Sequence, residues 1–116
     1  LAGDAWRTTP RLASQEAAAA AVPRNVCVEA DDRIVTHLTA RDYVSLPGVQ
    51  NGAADFIVLD LSEDNVGNFG PKPAVIEQLA RDAGYRTVFR QGTMRVLRAP
   101  HYVGPSPQCG PLGHGR

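Results

Sequence analysis

The residues able to do chemistry fall into three groups. The stretch "EADDRIVTHLTARD", residues 29 to 42, sets Asp31 and Asp32 at the end of an apolar run and follows them with His37 and Arg41. Carboxylates at the carboxyl ends of strands lie where open α/β sheets bind ligands, and Asp60, closing "DFIVLD", belongs to the same class. The second group is "VGNFGPKP", in which Gly67, Gly70 and Lys72 lie between a strand and a helix, a place where an anion can be held. The third is a tail with His101, Cys109 and His114, all potential metal ligands.

Each group also has a plainer account. Asp is strongly preferred at helix N-caps and favours the positive helix end, so Asp31 or Asp32 reads first as a cap and Asp60 as a strand terminus. Asp31, Asp32, Asp60 and Lys72 mimic the acidic pocket of a phosphorylation receiver. In a receiver, however, two further strand-helix units separate the phosphoacceptor from the lysine, and here the gap is only eleven residues. His37 has no Cys, Ser or metal partner at a defined spacing, so a hydrogen bond to backbone or to Arg41 is its simplest role. The Gly67, Gly70, Lys72 loop matches neither the dinucleotide fingerprint nor the P-loop. The tail ligands are irregularly spaced, and no metal or other cofactor is expected. No Ser or Cys occupies a nucleophile-elbow context.

The elements that must position these groups read clearly. Thr9-Pro10 opens a helix through "RLASQEAAAAAV" that Pro23 stops. A β-branched strand near 26–30 follows, then a short helix near 33–40, a strand in "DYVSLP", and the continuously apolar strand "DFIVLDL". Pro73 starts an amphipathic helix with Val75, Ile76, Leu79, Ala80 and Ala83 on one stripe, stopped by Gly84. "YRTVFR", a turn at "QG" and "TMRVLR" form an antiparallel hairpin. The order α, β, α, β, β, α, β, β, with an apolar strand buried on both faces, predicts a small three-layer Rossmann-like α/β sheet, mostly parallel with a C-terminal antiparallel hairpin. It comprises a linker (1–8), one domain (9–99) and a flexible Gly/Pro-rich tail (100–116).

Composition narrows the function classes. Twelve basic and twelve acidic residues leave no net charge, so no global field draws in nucleic acid or an anionic membrane. The longest apolar run, 17–23, is far below the roughly 20 residues of a spanning helix, so no membrane insertion by this segment is expected. A disulfide between Cys27 in a strand and Cys109 in a loose tail is not expected, and the redox compartment stays open. The start, without Met or a secretory pattern, reads as a piece of a longer chain.

The runs "VPRNVCVEADDRIVTHLTARDYVSLPG", "ADFIVLDL" and "GYRTVFRQGTMRVLR" resemble the C-terminal soluble segment of a family of polytopic membrane proteins, domain of unknown function 2079. The resemblance covers about residues 15–98 and rests most on "HLTARDYV", with Pro23, His37, Leu38, Arg41, Tyr43, Asp55, Asp60 and Tyr85 at the family's positions. It implies a parent with many membrane helices, similar to a lipid-linked sugar transferase, and an extracytoplasmic place for this domain. The membrane helices are not in this sequence, and no catalytic residue is carried over. The expectation is a non-catalytic accessory domain that positions a substrate or partner beside its own parent's membrane region, with Asp31, Asp32, His37, Arg41 and Asp60 as the surface of interest. The rival is a free-standing α/β protein binding a nucleotide or phosphorylated ligand at the strand carboxyl ends, through Asp31, Asp60 and the 67–72 loop.

Overall fold

In a computed structural model of the chain, the described residues are 10–30, 38, 42–45, 54–62, 72–106 and 109. They form helix α1 (Pro10–Ala20), strands β1 (Cys27–Ala30), β2 (Tyr43–Ser45) and β3 (Phe56–Asp60), helix α2 (Pro73–Asp82), and strands β4 (Arg86–Gln91) and β5 (Met94–Arg98). No helix among the described residues is long and apolar enough to cross a membrane.

The five strands make one sheet in the order β2-β1-β3-β5-β4. β1 runs parallel to β2 and to β3, with three registered residues in each ladder. β5 runs antiparallel to β3 and to β4, with five registered residues in each. The sheet is therefore mixed, with most of its registered pairs antiparallel, and the expectation of a mostly parallel Rossmann-like sheet is wrong. Continuous burial of β3, whose five residues are all buried, reports cover on both faces and is blind to the direction of the neighbouring strands. Central β3 has one parallel and one antiparallel neighbour.

The period-2 alternation of the strands sorts the core into two layers. On one face Val28, Phe56, Val58, Met94 and Val96 meet Ala18, Ala19 and Val22 at the C-terminal end of α1. The alanine block supplies little volume, which lets the helix approach the sheet closely, and Ala18 is fully buried. On the other face Ile57, Leu59 and Leu97 pack with Ala80 and Ile76 of α2. The expected apolar stripe of α2 divides here: Val75 and Leu79 are 48% and 59% exposed, because Ile76 and Ala80 already occupy the contact with the sheet.

Helix α2 ends on Gly84 at φ 101°, and Tyr85 N–H closes the cap on the Ala80 carbonyl at 3.0 Å. A Cβ at Gly84 would lie 3.1 Å from Pro100, so a close approach reinforces the need for glycine. The hairpin turn is Gly92-Thr93, one residue later than "QG", with Gln91 opposite Met94 and Gly92 supplying the positive φ of 57°.

Beyond β5 the described residues, 99–106 and 109, stay on the domain. Tyr102 sets its ring edge-on to Phe56 at 4.9 Å, Ser106 N–H donates to the Asn25 carbonyl at 2.8 Å, and Cys109 is buried. Cys109 is bonded to Cys27, with 4.9 Å between their Cα atoms. The disulfide that composition made unexpected therefore forms. Gly and Pro content measures the local absence of helix and strand propensity, whereas tethering of this segment comes from long-range contacts that composition does not record.

Candidate functional site

Asp31, Asp32, His37, Arg41, Gly67 and Gly70 lie outside the described residues. His114 lies outside them as well, and of the residues singled out from sequence the structure places Asp60, Lys72, His101 and Cys109. Asp60 is fully buried, and its Oδ1 accepts from Ser62 N–H at 2.9 Å and from the Thr93 hydroxyl at 2.7 Å. Leu61 N–H donates to the Thr93 carbonyl at 2.8 Å. This carboxylate thus ties the exit of β3 to the hairpin turn, a structural task for a buried acceptor. Lys72 is exposed at the N-terminal flank of α2, ahead of Pro73. From the opening stretch, Asp42 is described: it is buried, and Oδ1 accepts from Val26 N–H at 3.1 Å just ahead of β1.

The polar groups that the fold does bring together lie at the opposite end of the sheet, where β1 and β3 begin and β5 ends. Asp55 is the node. Its N–H donates to the Cys27 carbonyl at 2.7 Å, its Oδ2 accepts from Cys27 N–H at 2.9 Å, and its carbonyl accepts from Ala99 N–H at 2.8 Å. His101 Nε2 lies 3.3 Å from Asp55 Oδ1. Beside them Tyr85 donates its hydroxyl to the Ala54 carbonyl at 2.6 Å and meets the His101 ring edge-on, with centroids 6.5 Å apart.

An Asp-His pair suggests acid-base chemistry, but this one lacks a nucleophile. Among the described residues no hydroxyl or free thiol is hydrogen-bonded to His101. The sulfurs of Cys27 and Cys109 and an Asp55 oxygen lie within 4.8 Å of one another, yet the sulfurs are bonded together and offer a metal no thiolate. The cluster's work is to fasten the ends of β1, β3 and β5 and the residues after β5 to one another.

Burial, and then the negative charges of Glu29 and Asp55, raise the Tyr85 hydroxyl above its ordinary pKa of 10.0. Below pH 10.0 both the folded and unfolded chain keep that proton, and the stabilisation is complete. As the pH rises further the unfolded chain releases its proton first, so stability falls through the raised folded value. In melting curves at pH 8 and pH 11, Tyr85→Phe should lose about 1 kcal/mol at pH 8, where it lacks the bond to Ala54. Its deficit against the parent chain should shrink or reverse at pH 11. A constant deficit at both values would show that Tyr85 does not resist ionisation.

Comparison with protein-family models, curated proteins and solved structures returned no match to this chain. The resemblance carried by "HLTARDYV" accordingly rests on the sequence.

Adjoining the Asp55 cluster is a groove of about 500 Å³ lined by Arg86, Thr87, Val88, Arg98, Ala99, Pro100 and Tyr102. Arg86 and Arg98 are directly opposite one another across the β4-β5 ladder. Arg98 stands over the Tyr102 ring, 5.2 Å from its centroid. None of these residues was singled out from sequence as a site. A signal for them was nevertheless present in the distribution of charge. All twelve acidic residues precede residue 83, while five of the twelve basic residues follow it. Residues 83–116 thus carry a formal +5 and the remainder −5, an asymmetry that the zero net charge conceals.

Proposed function

We propose that the chain is a non-catalytic accessory domain of a polytopic membrane protein, held on the extracytoplasmic side, where it positions a substrate or partner beside its parent's membrane region. The observation that carries the compartment is the Cys27–Cys109 disulfide. Disulfides persist in oxidising surroundings and are rare where glutathione and thioredoxin keep thiols reduced. The membrane parent is supported by the sequence resemblance. The non-catalytic role is supported by three carboxylates: buried Asp42 and Asp60 and partly buried Asp55 each hold backbone groups in place, as a scaffold requires.

The test uses the native protein carrying this segment. Cells are fractionated, thiols are blocked before and after reduction, and the intact mass is read in each fraction. The expected result is a large species that needs detergent for extraction and whose Cys27 and Cys109 become alkylated only after reduction. A detergent-independent species near 12.4 kDa with both thiols free would overturn the reading.

A further inference from the structure

The groove beside β4 and β5 brings together features that the scaffold itself does not explain. Like charges directly opposite on adjacent strands destabilise a sheet, yet Arg86 and Arg98 occupy one such pair of positions. Among the described residues neither guanidinium makes an ion pair, and neither has a carboxylate as hydrogen-bond partner. Both line the same groove. The Tyr102 ring holds Arg98 by a cation-π contact and is itself set against Phe56, so the orientation of one guanidinium is prepared in advance. No acidic residue occurs from 83 onward to neutralise the site from its own segment.

We propose that this groove binds an organic phosphomonoester, with its phosphoryl group between Arg86 and Arg98. A phosphomonoester carries nearly two negative charges at neutral pH, matching two guanidiniums, whereas a carboxylate matches one. Arginine's planar fork suits phosphate oxygens, and relief of the Arg-Arg repulsion adds to the attraction. The volume, about 500 Å³, is within the range of small-molecule sites and leaves space beyond a bare phosphate. Val88, Ala99, Pro100 and the Tyr102 ring supply an apolar wall for the organic body, while Thr87 adds a hydroxyl. The site deepens the accessory-domain reading by naming the class of substrate to be positioned, and it rests on that reading for its biological setting alone.

The experiment is titration calorimetry on the 116-residue chain at low and at physiological salt. The probes are glucose 6-phosphate, inorganic phosphate, glucuronate, and vesicles of phosphatidylcholine with and without phosphatidic acid. Saturable binding of glucose 6-phosphate, at least several-fold tighter than inorganic phosphate or glucuronate and weakened by salt, is expected. Arg98→Gln and Arg86→Gln should each weaken it about tenfold, and the double variant should abolish it. Arg90→Gln, on the same hairpin but away from the groove, should bind as the parent does, and unchanged melting of the groove variants shows that they fold.

Binding to phosphatidic acid vesicles that depends on Arg86 and Arg98 would place the same chemistry on a lipid headgroup and sustain the proposal. Equal affinity for glucuronate, or phosphate binding that survives the double substitution, would overturn it. This outcome is separate from the membrane-parent test: the chain can bind phosphate without a membrane parent, and it can belong to such a parent without binding phosphate.

Discussion

Reducing the Cys27–Cys109 disulfide, or replacing both cysteines by alanine, is expected to destabilise the chain by about 2–5 kcal/mol and to lower its melting temperature by roughly 10–20 °C. The crosslink spans 82 residues. Chain entropy for a loop of that size corresponds to about 4.5 kcal/mol, because the unfolded ensemble is held together across almost the whole described domain. The native side should follow. Without the bond, the described residues after Pro100 keep non-covalent anchors such as Ser106 on Asn25, Tyr102 on Phe56 and His101 on Asp55. Calorimetry with and without a reductant gives the thermodynamic answer, and hydrogen exchange at Ser106 and Cys109 gives the local one. A fall in melting temperature of less than 2 °C would show that the tail imposes no constraint on the folded domain. The same experiment bears on location, since a domain that needs this bond for much of its stability is poorly suited to a reducing compartment.

Asp60→Ala should cost about 2–3 kcal/mol and lower the melting temperature by roughly 10 °C. The carboxylate is fully buried and accepts from both Ser62 and Thr93, so its removal strands two donors at the junction of β3 with the hairpin turn. Asp60→Asn keeps an acceptor oxygen and should recover part of the loss. If Asp60 were instead a ligand-binding carboxylate on an otherwise sound strand end, the alanine variant would melt like the parent and lose a bound anion or cation. The structural role and the ligand role therefore predict opposite results in a single melting curve. Phosphate binding at the Arg86/Arg98 groove should be unchanged by Asp60→Ala, because the two lie at opposite ends of the β5 ladder: Asp60 is opposite Met94, while Arg98 ends that strand.

Much of the local structure was legible. β3 was evident from its continuous apolar run, and α2 from Pro73 at its start and Gly84 at its end. Pro10 marked the beginning of α1, and glycine with alternating apolar residues marked the hairpin, one residue displaced. These signals are short-range: a cap, a missing N–H, a positive φ or a period of two is decided by a few adjacent residues.

The candidate site was read much less well. Carboxylates next to strand ends attracted attention because doubly wound sheets bind ligands there, and Asp60 then proved to be an internal fastening. Asp55, one residue ahead of the same strand, was noted only as a position of the resemblance and not as a site, yet it gathers Cys27, Ala99 and His101 from two other parts of the chain. Arg86 and Arg98 are separated by eleven intervening residues, and nothing in either neighbourhood says that a bulged hairpin will set them face to face.

The sequence by itself determined the described helix and strand segments, the Pro73 start and Gly84 stop of α2 and the glycine of the hairpin turn, since those follow from backbone sterics and local apolar periodicity. It also determined the uneven charge between the first 82 residues and the rest. Only the tertiary structure decided the mixed strand order, the Cys27–Cys109 bond and the meeting of the two arginines. Strand direction, crosslinks and cross-strand neighbours depend on which distant segments pair. That choice is made by the free energy of the whole packed domain, which no short window of residues contains.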